Sequence, residues 1–200
     1  MEGVLRILTD SSRMVRGRII QMTGTAALTA AVRLLALFQR EQSGVVAYVS
    51  AGVSLPFPGD LSAGGVALEE LLVVLPHNDS SRNAPGESSH LAGAAETLLR
   101  SRQCSCICLD YAGVSRAARA GELTPGVLAR LMHQCRHTGT TLILLPGMDA
   151  AVLGPAVGLH LHTHAARQQE GGYLLTLEVR RSRIPLRSDQ CHAVLPDRLC

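Results

Sequence analysis

The chain has 200 residues, 46% of which are apolar, so it is long enough for one domain with a sizeable core and does not have the composition of a disordered protein. A net charge of +3 is too small to indicate nucleic-acid binding by itself. Because no run approaches the roughly 20 consecutive apolar residues of a membrane span, and no signal-peptide pattern opens the sequence, we expect a soluble, cytoplasmic protein.

The basic residues and the cysteines restrict the chemistry further. All 19 basic residues are arginines, so the sequence excludes any mechanism that needs the compact ammonium group of lysine. Three of the six cysteines alternate within one apolar run, which is more typical of a reducing compartment than of a disulfide framework.

The first part of the chain alternates predicted strands and helices. Residues 17–24 form a short strand that ends in a glycine turn, and residues 27–40 follow as a helix. The apolar residues of that helix recur at spacings of three and four, which predicts one buried face of Leu28, Val32, Leu35 and Phe38. Residues 45–49 and 71–75 are apolar runs typical of buried strands. Residues 76–89 are polar and rich in Asn, Ser, Pro and Gly, which indicates a surface loop.

The alternation continues to residue 145. Residues 91–102 are predicted as a helix, residues 104–109 as a strand and residues 140–145 as a further strand. Between these strands, Thr124 and Pro125 form a helix start, because threonine caps a first turn and proline fits within it. The face that we expect this helix to bury consists of Val127, Leu128, Leu131 and Cys135.

The last part of the chain contains strand patterns without helices between them. These strands are residues 157–164, 173–181 and 190–195, and Gly171 and Gly172 form a turn between the first two. The whole pattern predicts an α/β fold with a mostly parallel, twisted sheet flanked by helices. The final strands predict an antiparallel extension at its C-terminal end.

Five segments follow, in chain order, the pattern of one known protein class. They are residues 17–20 with Gly24, 65–72, 106–110, 141–145 and 177–185. Each is similar to the corresponding segment of bacterial RecA recombinases, and together they extend over about residues 15–195. The resemblance implies a RecA-like core formed by residues 17–200, preceded by an N-terminal segment of residues 1–16.

The resemblance also implies where a phosphate-binding loop would lie. Such a loop surrounds phosphates with backbone N–H groups, and it needs a lysine for the outer phosphates and a hydroxyl for magnesium. Counted from Gly24, the second glycine is replaced by Thr29, the lysine by Ala30 and the hydroxyl by Ala31.

The other nucleotide positions of the family are changed as well. Gly52 lies near the place of the catalytic glutamate, and Pro146 and Gly147 replace the pair that senses the γ-phosphate. Asp110 alone remains, at the end of the strand that resembles a Walker B strand. It is either a metal ligand or a turn and cap residue. The resemblance therefore implies a pseudo-ATPase with no catalytic residue and no cofactor.

A second resemblance is more specific. Residues 46–58, which include the Pro56-Phe57-Pro58 turn, and residues 64–74 are similar to the most recognisable stretch of the ImuA family, the RecA-like member of the ImuA–ImuB mutagenesis cassette. The intervals 110–140 and 145–157 are short, as in that family, whereas in RecA they contain the long DNA-binding loops.

The ImuA resemblance implies an accessory role in SOS-induced translesion DNA synthesis and the DNA damage response. The implied partners are RecA, ImuB and an error-prone DNA polymerase, with weak DNA contact possible and no membrane. Two other functions remain open: a DNA-binding regulator of recombinase filaments, and a residual nucleotide-binding ATPase built around Asp110.

Two clusters could bind a metal ion. Cys104, Cys106 and Cys108 alternate on a strand, so we expect three thiols on one face, available either for zinc or for core packing. The imidazoles of the second cluster also share a strand face, where they could bind a metal, act as a pH switch or form a polar surface. That cluster consists of His160, His162 and His164.

The densest basic patch follows these histidines. It consists of Arg180, Arg181, Arg183 and Arg187. Three roles are open for it: a contact with a protein partner, a contact with DNA phosphates, or a solvated edge.

Overall fold

The computed structural model describes residues 15–41, 44–51, 55–76, 90–147, 153–167, 173–183 and 190–195. The strands are β1 (Ile19–Gly24), β2 (Val45–Ser50), β3 (Leu71–Val74), β4 (Cys104–Asp110), β5 (Thr141–Leu145), β6 (Leu159–Arg167), β7 (Tyr173–Ser182) and β8 (Gln190–Leu195). The α-helices are α1 (Ala27–Glu41), α2 (Pro58–Ala63), α3 (Leu91–Ser101), α4 (Arg116–Glu122) and α5 (Pro125–Thr138). Two short 3-10 helices span Leu68–Glu70 and Gly154–Ala156.

The eight strands form one sheet in the order β3-β2-β4-β5-β1-β6-β7-β8. The first six strands in this order are parallel, whereas β7 runs antiparallel to β6 and β8 antiparallel to β7. The predicted α/β fold, with a mostly parallel sheet and an antiparallel C-terminal extension, is confirmed. The predicted loop at 77–89 and the turn at 171–172 lie outside the described residues.

The sheet separates two apolar layers. On one face α1 packs against side chains such as Ile20, Met22 and Tyr48. On the other face α3 and α5 pack against side chains such as Ile19 and Ile107. Because the central strands are covered on both faces, most of their residues are apolar, as in other parallel sheets.

Helix α1 confirms the predicted element but not all of its predicted face. Val32, Leu35 and Phe38 are buried as expected, together with several alanines and leucines of the same helix. Leu28 is 39% exposed, so its assignment to the core was wrong. Leu28 belongs to the first turn of α1, where the side chain lies at the end of the sheet rather than above it.

Helix α5 begins as predicted. The Thr124 side chain accepts a hydrogen bond from the Val127 N–H, and Pro125 occupies the first turn. Gly139 ends the helix with a left-handed backbone, at φ 75°. None of the helices in the described part of the chain is long and apolar enough to cross a membrane.

The cysteine cluster does not share one face of β4. The register between β2 and β4 shifts so that Val45 pairs with Cys104 and Val46 with Cys106, which leaves one extra residue on β4. This β-bulge reverses the alternation of side chains. Cys106 and Cys108 therefore lie in the layer of α1, whereas Cys104 lies in the layer of α3 and α5. The prediction of three thiols on one face was wrong.

Candidate functional site

The resemblance to RecA places the candidate site at the carboxyl ends of β1, β4 and β5, where open α/β sheets bind their ligands. A pocket of about 220 Å³ lies there. Its apolar lining includes Met22, Leu28, Leu55, Pro56 and Leu145. The pocket is therefore an apolar cleft in the position expected for phosphates.

The turn after β1 is tight. Gly24 has φ 99°, and a Cβ atom on this residue would lie 2.1 Å from the carbonyl oxygen of Thr163 in β6, so only glycine fits. Helix α1 already begins at Ala27, and the Ala30 N–H donates to the Ala26 carbonyl at 3.0 Å.

The three predicted replacement positions consequently lie inside a helix rather than in an open loop. Thr29 is half-buried, and Ala30 and Ala31 are buried against the core. A phosphate-binding loop works because its backbone N–H groups are free to surround the phosphates. Here the N–H of Ala30 is used within α1.

Asp110 is engaged by the protein itself. The side chain is 3% exposed. Its Oδ2 atom accepts a hydrogen bond from the Tyr48 hydroxyl, and its Oδ1 atom accepts one from the Ala112 N–H at 2.8 Å. Burial, together with Cys108 and Asp110 nearby, raises the pKa of Tyr48 far above its usual range, so the hydroxyl remains a donor. This geometry fits the turn-residue interpretation of Asp110.

The carboxyl end of β5 is covered by a residue that the sequence analysis did not identify. The Nη1 atom of Arg119, in α4, donates to the carbonyl oxygen of Pro146. Pro146 is buried and Gly147 has φ 97°. No sequence signal connects Arg119 with Pro146, which lies 27 residues further on. Gly52, at the expected place of the glutamate, lies outside the described residues.

The three histidines of β6 do share one face, and Thr23 of β1 joins them. The Thr23 Oγ1 atom lies 3.0 Å from Nε2 of His160 and 3.0 Å from Nδ1 of His162. The rings of His162 and His164 are in edge contact, with centroids 4.3 Å apart. Exposure increases along the row, because His160 is buried, His162 is half-buried and His164 is exposed.

The surroundings of this row disfavour protonation of its inner members. Burial lowers the pKa of His160, and His162 and Arg180 lower it further. Burial also lowers the pKa of His162, with smaller contributions from His164 and Arg180 that Glu178 partly offsets. The inner imidazoles are therefore favoured in their neutral form, which is the form that binds metal ions. No group of three or more His, Cys, Asp or Glu side chains in the described residues is arranged to hold a metal ion.

The described arginines of the predicted basic patch differ in their contacts. Arg180 forms an ion pair with Glu178 at 2.8 Å, and Arg181 donates to the Gly154 carbonyl at 3.3 Å. Arg183 is exposed, and Arg187 lies outside the described residues. The described arginines therefore do not form one open cationic surface.

Comparisons with known proteins bear on the fold. No family model matches the sequence, and no curated protein matches it by sequence. Among solved structures, the chain is similar to one described as the crystal structure of the RadB recombinase, with a TM-score of 0.64 and 16% identity. The match covers 95% of this chain and 94% of that chain. At this identity the likeness concerns the fold alone, and the chain has a RecA-like α/β fold.

Proposed function

We propose that the chain is a non-catalytic RecA-like accessory protein in SOS-induced translesion DNA synthesis and the DNA damage response. In this role it is an adaptor that binds RecA, ImuB or both, and an error-prone DNA polymerase. The observation that carries the proposal is the apolar pocket at the carboxyl ends of β1, β4 and β5, where a RecA-like ATPase would bind phosphates.

The chemistry of this pocket argues against a nucleotide. Its charged lining residue in the described part of the chain is Asp110, whose carboxylate would repel phosphates. The sequence has no lysine to offset that repulsion. The pocket volume of about 220 Å³ also lies below the roughly 300–1,000 Å³ of most small-molecule sites. A weakened ATPase would retain more of the nucleotide positions than Asp110 alone, so the joint replacement of the others, at Thr29, Ala30 and Ala31, supports a binding protein.

Exposed apolar side chains supply a surface for a partner. Among the described strands, β3 pairs only with β2 and lies at the edge of the sheet. Its residues Leu72 and Val73 are exposed, as is Leu75 just beyond it. An edge strand with exposed apolar side chains is suited to pairing with an added strand of another chain. Phe57 is 70% exposed and adds an aromatic anchor at the carboxyl end of β2.

Co-purification of the intact chain with RecA, ImuB and the polymerase tests the adaptor role. We expect Val73→Glu to abolish capture of the partner, because a carboxylate would replace an exposed apolar side chain that packs beside the side chains of the added strand. The matched control is Ala120→Glu, at an exposed position of α4, and we expect it to retain capture. Failure of the wild-type chain to bind any of the three proteins would contradict the proposal.

Calorimetric titration with ATP and magnesium tests the loss of nucleotide chemistry separately. We expect no saturable binding, because the described lining of the pocket contains a carboxylate, that of Asp110, and no cationic side chain that could offset the charge of the phosphates. Micromolar affinity would instead support the residual ATPase.

A DNA-binding regulator of recombinase filaments is the second candidate. The exposed side chains of Arg180 and Arg183 at the end of β7 favour it. Electrostatic DNA binding weakens steeply as salt rises, so the measurement is a DNA titration over a salt series. Absence of binding at about 50 mM salt discards this function.

A further inference from the structure

The histidine row presents two imidazoles to solvent from one face of the sheet. In the register of the sheet, His162 lies between Thr23 of β1 and Glu178 of β7. His164 follows two residues later on the same face, and its ring contacts that of His162. This arrangement is independent of the partner-binding surface proposed above.

Thr23 restricts the protonation of the row. A hydroxyl group has one proton and two lone pairs, so Thr23 either donates to one of its two histidine partners and accepts from the other, or accepts from both. If the Nδ1–H of His162 donates to Thr23, then Thr23 donates to Nε2 of His160. The Nε2 lone pair of His162, on the other side of the ring, is then free.

The opposite arrangement gives no better hydrogen bonding. In that case Nε2–H of His160 donates to Thr23, and Thr23 donates to Nδ1 of His162. The Nδ1 atom of His160 is buried without a partner in either arrangement, as an unpaired donor in the first and an unpaired acceptor in the second. Internal hydrogen bonding therefore leaves the row without one clearly preferred state, and a ligand on Nε2 of His162 would select a state in which Nδ1 of His162 carries the proton.

We propose that His162 and His164 bind one divalent first-row transition-metal ion, of which Zn²⁺ and Ni²⁺ are convenient probes. Imidazole nitrogen is a preferred ligand of these ions. Thr23 acts as a positioning residue, because a metal-bound histidine usually donates its other ring N–H to an oxygen acceptor that fixes the orientation of the ring. Water molecules complete the coordination.

The charges around the pair set the strength of the site. Glu178 lies opposite His162 in the sheet. Its carboxylate forms an ion pair with Arg180 at 2.8 Å, and this ion pair competes with binding of the carboxylate to the metal ion as a third ligand. The positive charge of Arg180 also opposes a cation at His162. Arg180→Gln would remove this charge and release Glu178, and we expect tighter metal binding in this variant.

The decisive test is calorimetric titration of the full chain, without a histidine tag, with ZnCl₂ at neutral pH. We expect one site, and we expect His164→Asn to weaken binding at least about tenfold, because the exposed His164 supplies one of only two protein ligands. Melting temperatures in metal-free buffer check that His164→Asn remains folded. The matched control is His133→Asn, at an exposed histidine of α5, and we expect it to bind zinc as the wild type does.

His133 and His137 form another histidine pair on α5, one helical turn apart. Nε2 of His137 accepts a hydrogen bond from Nη2 of Arg102 at 2.7 Å, which makes this pair the poorer site. Loss of zinc binding in His133→Asn, unchanged binding in His164→Asn, or no saturable binding by the wild type would each overturn the proposal.

The positioning role of Thr23 must be distinguished from a purely structural role. We expect Thr23→Val, which keeps the side-chain shape, to weaken zinc binding by about tenfold, and we expect Thr23→Ser to restore it, since an oxygen acceptor beside a metal-bound histidine contributes about 10–100-fold in affinity. Nitrogen NMR of the zinc-bound wild type should show His162 protonated on Nδ1 and coordinated through Nε2. Coordination through Nδ1, or equal affinity in Thr23→Val, would contradict the positioning role.

Discussion

The carboxyl ends of β4 and β5 and the histidine row of β6 differ in how their polar groups are satisfied. At the ends of β4 and β5, both oxygens of Asp110 accept hydrogen bonds from the protein, and Arg119 donates a hydrogen bond to the carbonyl oxygen of Pro146. In the histidine row, Nδ1 of His160 is buried without a partner and His164 is exposed. The resemblance to ATPases predicts a ligand site in the first region, yet the imidazoles that are accessible to a ligand lie in the second.

Polar residues near an expected active site are thus not by themselves an indication of activity. A buried carboxylate whose oxygens both accept hydrogen bonds stabilises a turn, whereas an exposed imidazole such as that of His164 can still bind a ligand. Substitutions in the two regions should therefore change different properties of the protein. At the ends of the strands they should change stability, and in the histidine row they should change ligand binding.

The largest effect is expected where the two regions meet, at Gly24. Gly24→Ala would place a Cβ atom 2.1 Å from the Thr163 carbonyl oxygen and would hold alanine at φ 99°. Backbone strain and overpacking each cost about 1–3 kcal/mol, so we expect the free energy of unfolding to fall by roughly 4 kcal/mol. Chemical denaturation measures this change.

Gly126→Ala is the control for this prediction. Gly126 lies in the first turn of α5, and a Cβ atom there would meet nothing within 4 Å. Alanine should therefore be neutral or stabilise the chain by up to about 1 kcal/mol. Equal effects of the two substitutions would show that β1 and β6 are not in the close contact described here.

A smaller loss is expected from Asp110→Ala. The Tyr48 hydroxyl and the Ala112 N–H would lose their acceptor inside the protein. An unsatisfied buried donor costs about 1–3 kcal/mol, so we expect a total loss of about 3 kcal/mol. Asp60→Ala, at an exposed position of α2, should change stability by less than about 0.5 kcal/mol. Wild-type stability in Asp110→Ala would mean that Asp110 is not a structural residue.

Most of the fold can be predicted from the sequence because the buried strands are continuous apolar runs and α1 is strongly periodic. Helix α5 is equally clear from its cap at Thr124 and Pro125. Helix α4 is missed because none of its residues is buried, so it carries no apolar period. The bulge between Cys104 and Cys106 is missed because alternating cysteines look the same with or without an extra residue in the strand.

The candidate sites are predicted less well because their contacts join distant parts of the chain. Tyr48 and Asp110 are 62 residues apart, and Thr23 and His160 are 137 residues apart. The alternation of the β6 histidines predicts that they share a face. It does not predict which neighbouring strand faces them, since that depends on the order β1-β6-β7 in the sheet.

A moderate effect is expected from Arg119→Ala. This change removes the donor to the Pro146 carbonyl, which is part-buried in the contact. A hydrogen bond from a charged donor contributes about 1.5–3 kcal/mol, and solvent access to Arg119 reduces this value, so we expect a loss of about 1 kcal/mol. Arg116→Ala, at an exposed position of the same helix, is the control. A larger loss in Arg116→Ala than in Arg119→Ala would contradict the role given to Arg119.

The smallest effect on stability is expected in the histidine row, from His164→Asn. The ring is exposed and its described contact is with the ring of His162, so we expect the free energy of unfolding in metal-free buffer to change by less than about 0.5 kcal/mol. In the presence of zinc the difference should grow, because a ligand that binds only the folded state stabilises it in proportion to the logarithm of its concentration. Denaturation curves at several zinc concentrations measure both quantities on the same two proteins. A wild-type stability that is independent of zinc, or an equally large zinc effect in His164→Asn, would remove the distinction between a region that stabilises the fold and a region that binds.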